Sequence, residues 1–261
     1  RAGRPWVPRL GPAGPATDAE GCSLLAPGAR YLVTGGLGGI AAELLPGLLR
    51  DHGSRLLVIG RTDLDAPTAE AAERRAALHR LSAYGGRVDY RRADVTDREQ
   101  LAAVVAEAER DWQAPLDGVL HLAGAYRIAL LSGTDRDSWR AAVRAKTTGT
   151  DHLIELVRRR PGAQFVGFSS MVGFQEAVGS TAYAAANRYL ESAVERLHRE
   201  TGTPAWSIAW GLWSRVGMNR ATDHEQASAA RGIAVLSAAH GRRLATLLLA
   251  GPPGRWYAGP D

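Results

Sequence analysis

Seven apolar runs of strand length recur along this chain, and a longer amphipathic segment of helical period follows most of them. The runs are RYLVTG, RLLVIG, RVDYRRADV, LDGVLHLAG, AQFVGFSS, AWSIAWGLW and RWYAG. Helical patterns fall near 39–52, 68–84, 97–112, 136–160, 181–201 and 239–250. Strands that alternate with helices build right-handed βαβ units and a parallel sheet covered on both faces. The expected fold is therefore α/β: a Rossmann-like doubly wound parallel sheet of about seven strands. With 261 residues, 45% of them hydrophobic, the chain can bury one large core, and residues 30–261 are expected to form that domain. Residues 1–29, rich in Pro, Gly and Ala, read as an arm or linker with one extended piece, PWVPRL. Pro46 falls inside the first helical pattern and is expected to kink it. Residues 214–238 show little periodicity and follow the sixth strand, a position suited to a mobile lid.

Composition narrows the function classes. The net charge of +5 is spread over scattered arginines, the densest run being Arg158-Arg159-Arg160. A solvated surface is the expectation, a face for an acidic carrier comes second, and no reading motif supports nucleic acid. The single cysteine, Cys22, excludes an internal disulfide, and reduced cytoplasm is the default compartment. No run of 18 apolar residues suggests a membrane span. No metal site is expected.

The first strand runs into TGGLGGI, and a helix begins directly after the glycines. Glycines allow a tight turn and close approach of backbone amides to a pyrophosphate, while the helix N-terminus adds partial positive charge. Thr34, Gly35, Gly36, Leu37, Gly38, Gly39 and Ile40 form the expected cradle. Arg61, at the end of the second strand, favours a 2′-phosphate and hence NADPH, although Asp63 or Asp65 is placed to reach the ribose instead. Asp94 and Val95 are candidates for the adenine edge, and Asp97 for a helix cap. Ala123 and Gly124 leave room for a cofactor after the fourth strand, where His121 reads as a packed or hydrogen-bonded histidine.

Among 32 Lys and Arg residues only Lys146 is lysine. A compact ammonium can hydrogen-bond a ribose hydroxyl and lower the pKa of a nearby phenol, which a guanidinium does poorly. Tyr183 and Asn187 are four residues apart on one helix face. Ser169 and Ser170 end the fifth strand, at the sheet edge where catalytic groups gather in open α/β folds.

Together, TGGLGGI, HLAGA, Lys146, FSSMVG, YAAAN and WGLWSRVGM resemble the catalytic subdomain of a modular polyketide synthase ketoreductase, within the short-chain dehydrogenase/reductase superfamily. The resemblance runs from PWVPRL, similar to the last strand of that family's structural subdomain, to the C-terminal RWYAGPD. In that family the lysine and asparagine of the usual tetrad exchange sequence positions. The resemblance thus implies that Tyr183 donates the proton, Ser170 hydrogen-bonds the carbonyl, Lys146 assists the tyrosine and the nicotinamide ribose, and Asn187 supports a proton relay. Ser169 is the alternative to Ser170. Implied too are NADPH as cofactor, with Lys146 and Tyr183 touching it, a β-ketoacyl chain on an acyl carrier protein as substrate, and neighbouring megasynthase domains as partners. A free-standing reductase of a small ketone, or a cofactor-binding scaffold without turnover, are the rival readings.

Three departures stand out. Ala41 replaces a glycine of the family's turn. The family's Leu-Asp-Asp marker falls at Tyr126-Arg127-Ile128 and its tryptophan marker at Gln175, so neither marker of product configuration is present; the missing aspartates lean towards the L-hydroxy product. Most of the structural subdomain does not appear in the sequence. Gln175, Trp213 and Met218 are the candidate substrate contacts, with Trp210 undecided and Trp206 expected in the core.

Overall fold

The computed structural model describes residues 11, 25–175, 178–217, 225, 228, 230 and 234–259. The arm's PWVPRL segment, most of the expected lid and Met218 lie outside the described residues. Seven strands, β1 (Arg30–Thr34), β2 (Arg55–Gly60), β3 (Arg87–Arg92), β4 (Gly118–His121), β5 (Gln164–Ser170), β6 (Ala205–Trp210) and β7 (Gly254–Ala258), form one parallel sheet in the order β3-β2-β1-β4-β5-β6-β7. Among the described residues the helices that cover the sheet are α1 (Gly39–His52), α2 (Ala69–Ser82), α3 (Arg98–Trp112), α4 (Arg136–Val143), α5 (Thr148–Arg158), α6 (Thr181–Thr201) and α7 (Ala238–Ala250).

Strand side chains alternate between two cores, as the period of two demands. Tyr31, Val33, Leu56, Val58, Val166 and Phe168 face α1, α2 and α7, whose Leu45, Leu49, Leu81 and Leu249 close that layer. Leu32, Leu57, Ile59, Val119 and Phe165 face α3, α5 and α6 through Leu101, Val105, Leu153, Leu190 and Val194. Both faces of the central strands are covered, which is why they read as continuous apolar runs rather than alternating ones. Trp206 is fully buried, as expected.

Two expectations change. The helical pattern 136–160 is two helices, broken by a turn over residues 144–147 that contains Lys146. Thr147 and Thr148 are β-branched, and Gly149 packs so closely on Val95 that a Cβ there would lie 2.8 Å from Val95 Cγ1. Handedness also differs in one crossover. The links β4 to β5 and β5 to β6 cross the sheet on the α5–α6 face, whereas α7, between β6 and β7, packs on the α1 face. The direction of travel is the same and the face opposite, so that last unit has the opposite hand to the others. Helix α1 is continuous through Pro46.

The strand order reverses between β1 and β4, each of which pairs with the other and then leads away in opposite directions. That switch point opens a crevice at the carboxyl ends of the strands, where open α/β sheets bind ligands.

Candidate active site

A cleft of about 1160 Å³ occupies the switch point. At its centre, the glycine turn is held by Thr34. Its hydroxyl accepts a hydrogen bond from Ala123 N at 3.1 Å and lies 2.7 Å from His121 Nδ1. Burial and the Lys146 charge push the His121 pKa down to about 3, which keeps the ring neutral. The packed histidine expected from the sequence is what the structure holds.

The glycines have separable reasons. Gly35 has φ +71°, and a Cβ on it would lie 2.9 Å from Ala123 N, so the β1 turn and the β4 loop meet only through glycine. Gly36, expected in the cradle, is buried: a Cβ on it would meet Val33 and Val58 Cγ1 at 2.9 Å, so close packing on the sheet also demands glycine there. Gly38 is the N-cap of α1 and offers no side-chain cap, and no acidic residue occupies the first turn. The leading amides of α1 therefore face the cleft without a side-chain acceptor, next to Gly35, Leu37, Gly39 and Ile40 on its wall. A Cβ on Gly39 would fall 2.1 Å from Gly217 Cα, which shows how closely residues 216–217 cover this helix end. Ala41 is buried, in keeping with the helix's close seat on the sheet. Such a glycine-lined, uncapped helix terminus fits a pyrophosphate.

At the adenosine end, Arg61 lines the cleft and is exposed. Asp63, the rival for the ribose, is drawn away by Arg92 at 3.1 Å, and one of its oxygens accepts from Asp65 N. Asp94 also lines the cleft, but its carboxylate accepts from Thr96 N at 2.9 Å, from Thr96 Oγ1 at 2.8 Å and from Arg144 Nη2 at 2.9 Å. These bonds hold its pKa below the usual range against the cost of burial. Val95 borders the cleft with its side chain packed on Gly149, and Asp97 caps α3 through Glu99 N and Gln100 N. No spacing in the sequence signals the Arg144 and Arg74 contacts; Arg74 Nη1 ties α2 to the Leu37 carbonyl at 2.6 Å.

The reactive groups converge where β5 ends. Ser170 and Tyr183 both line the cleft, the serine near enough to pull the phenol's pKa down, and the Ser170 hydroxyl accepts from Val172 N at 3.3 Å. Ser169 points the other way: its hydroxyl donates to buried Glu191 at 2.5 Å. Alternation along the strand thus separates the two serines and puts Ser170, not Ser169, beside the tyrosine. Asn187 Nδ2 donates to the Tyr183 carbonyl at 2.8 Å from one turn further along α6. Asn187 is fully buried behind the tyrosine rather than on the cleft wall. Tyr126 stacks edge-on against Tyr183, with ring centroids 5.0 Å apart.

Lys146 reaches the cleft from the α4–α5 turn, passing so close to Gly124 that a Cβ there would lie 2.7 Å from Lys146 Cε. The small residue expected after β4 is required by the lysine stem. Its ammonium donates to the Phe168 carbonyl, and burial pulls its pKa down to about 7, partly offset by the negative charge of Glu191. The expectation that Lys146 depresses the Tyr183 pKa is not met in this arrangement. Burial raises the phenol's pKa, while the polar side chains of Ser170 and Asn187 pull it partly back. The lysine's partner is the strand carbonyl, two residues before Ser170.

Of the expected substrate residues, Gln175 is exposed at the cleft mouth. Trp213 borders the cleft but is 1% exposed, wedged between Trp210, 5.1 Å away, and Gly241 of α7. It is core, because the glycine on α7 leaves a slot that the indole fills. Trp210 is also buried, stacked on Phe168. Sequence reasoning misses Glu191, although a signal exists: it stands four residues after Asn187, an acid flanked by Leu190, Ala193 and Val194 on the buried side of α6.

A dinucleotide cleft at the switch point, with a serine, a tyrosine and a lysine at its β4–β5 edge, defines a nicotinamide-dependent oxidoreductase of the short-chain dehydrogenase/reductase class. Residues 29–215 match the family model described as the KR domain. Polyketide synthase GfsB of Streptomyces halstedii is 37% identical over 224 residues, 84% of this chain and 4% of that protein. Erythronolide synthase EryA3 of Saccharopolyspora erythraea is 36% identical over 192 residues, 74% of this chain and 6% of the other. Among solved structures, the A-type ketoreductases from modular polyketide synthase superpose with TM-score 0.80 at 34% identity, over 95% of this chain and 51% of that one. PlmKR1, the ketoreductase from the first module of phoslactomycin biosynthesis in Streptomyces sp. HK803, gives 0.76 at 30%, over 95% and 54%. The chain belongs to the ketoreductase (KR) domain family of modular polyketide synthases. It spans only a few per cent of the length of these synthases.

Proposed function

We propose that this chain reduces a β-ketoacyl thioester, carried on an acyl carrier protein, to the β-hydroxyacyl thioester with NADPH during polyketide assembly. The observation that carries the reading is the meeting of Ser170 and Tyr183 beside the glycine-lined N-terminus of α1, with Lys146 on the same cleft wall. Bound NADPH supplies the hydride. The protein's part is to receive the charge that builds on the carbonyl oxygen. Ser170 and Tyr183 present two hydroxyl donors to that oxygen, already set in place, so little reorganisation opposes reaction. Tyr183 then gives up its proton, and Asn187 fixes the tyrosine's turn of α6 from behind. A phenol whose pKa is raised by burial holds its proton at neutral pH and is ready to act as the acid. Lys146 stands where a ribose hydroxyl would find a donor, anchored by the Phe168 carbonyl. Arg61 supports NADPH over NADH, since its guanidinium lines the adenosine end while Asp63 is occupied by Arg92.

The test supplies the purified chain with NADPH and the same β-ketoacyl group either on a carrier protein or as a short free thioester, and follows loss of the reduced nicotinamide. Faster reduction of the carrier-bound substrate is the expected result. Equal rates on both, or reduction of small ketones alone, would replace this reading with that of a free-standing reductase.

A further inference from the structure

Glu191 is a carboxylate with no exposure to solvent, placed directly behind the reactive groups. Ser169 donates to its Oε1 at 2.5 Å from β5, and Arg188 Nη1 lies 2.9 Å from its Oε2 on α6. Arg255 Nε approaches the same oxygen to 3.9 Å from β7. The 3-10 turn that follows β5, Met171–Gly173, leans on this pair: a Cβ on Gly173 would lie 3.3 Å from Arg188 Cδ and 3.4 Å from Glu191 Oε1. Arg188 in turn reaches Tyr257 Oη at 3.5 Å, and the Tyr257 ring packs on Phe174, next to Gln175 at the cleft mouth.

Ser169 stands between Phe168, whose carbonyl takes the Lys146 ammonium, and Ser170, which shares the cleft with Tyr183 and pulls its pKa down. We propose that Glu191 is a positioning residue of the reductive site: by gripping Ser169 it fixes the strand segment on which both Lys146 and Tyr183 bear. This deepens the reductase reading and rests on Lys146 belonging to that site. A buried carboxylate is costly unless it is paired and fully hydrogen-bonded, so a packing role alone would be met more cheaply by leucine. Lys146 faces neutral His121 from β4 and Gly124 from the loop beyond it. Among the described residues Glu191 is the negative group that acts on it, and it raises a lysine pKa that burial has drawn down to about 7. Near neutral pH that balance decides whether the lysine is charged.

Because Lys146 is the single lysine of the chain, carbon-13 lysine labelling gives one side-chain signal, and its pH titration reads Lys146 without substrate. The expected result is a lower titration midpoint in Glu191→Gln than in the parent, with Glu191→Asp restoring most of the difference. The alkaline limb of kcat/KM should move down in parallel, because a tenfold weaker hold on the proton leaves about tenfold less charged lysine at any pH above the midpoint. Should the glutamine variant fail to fold, Ser169→Ala keeps the charge but cuts its tether. The carboxylate then relaxes towards Arg188, and the midpoint again falls. An unchanged Lys146 midpoint in whichever of these variants folds would overturn the proposal. A parent without turnover would defeat the reductase reading yet leave this titration readable, so the two failures are distinguishable.

Discussion

Lysine is the basic residue this chain has all but discarded, and the one that remains is buried in the cleft wall. Its isolation makes Lys146 legible in the sequence; its company is not. The carbonyl that holds it and the glutamate behind it come from two other elements and follow no spacing rule that connects them to residue 146. Ser170 is separable from Ser169 only once strand alternation is fixed by the cores on either side. At this scale two outcomes are expected. Replacing Arg61 by alanine should reduce the preference for NADPH over NADH by about 10- to 100-fold, the worth of a charged hydrogen bond of about 1.5–3 kcal/mol. Comparing the two dissociation constants by fluorescence checks it, and an unaltered ratio would move the 2′-phosphate contact elsewhere. His121 is neutral in the folded protein, with a pKa of about 3 against about 6.5 when unfolded. The unfolded chain therefore binds the extra proton first. Stability contributed by the neutral ring is whole above about pH 6.5 and is lost as pH falls towards 3. Urea unfolding at a series of acidic pH values should show a shallower loss in His121→Gln than in the parent.

Among the elements, all seven strands and most helices are legible because both physical signals are strong: apolar runs of strand length and helical periodicity with clear ends, such as Asp97 capping α3. The break between α4 and α5 is not, since residues 136–160 keep a helical pattern and only the demand to point Lys146 inwards, with Gly149 against Val95, interrupts it. The face taken by α7 escapes as well, because apolar periodicity says that a helix packs but not on which side of the sheet. Gly36 shows the same limit, a motif glycine that close packing on Val33 and Val58 also demands. The glycine turn itself offers a sharp test. Gly35→Ala places a side chain at φ +71° and 2.9 Å from Ala123 N. The variant should lose about 1–3 kcal/mol from backbone strain alone, with weakened NADPH binding as the turn shifts off the β4 loop. Denaturant unfolding and a binding titration on the same sample check both.

For the whole molecule, the fold brings Ser170, Tyr183, Lys146 and the N-terminus of α1 together at the carboxyl ends of the strands, from elements on both faces of the sheet, around the reversal between β1 and β4. The sheet supplies rigid strand ends, α1 an uncapped terminus and α6 the tyrosine, so the site is assembled only when the full doubly wound sheet has formed. NADPH should accordingly stabilise the entire domain, by about 2.7 kcal/mol at about a hundred times its dissociation constant, read as a rise in Tm. Most directly, NADPH consumption with a carrier-bound β-ketoacyl thioester should be measured for the parent chain and for Tyr183→Phe, both shown beforehand to bind NADPH equally. Loss of the single phenolic oxygen should cut turnover by about a hundredfold or more, with the β-hydroxyacyl thioester as the parent's product. A phenylalanine variant that reduces the substrate at the parent's rate would contradict the proton-donor role, and with it the reductive site described for this chain.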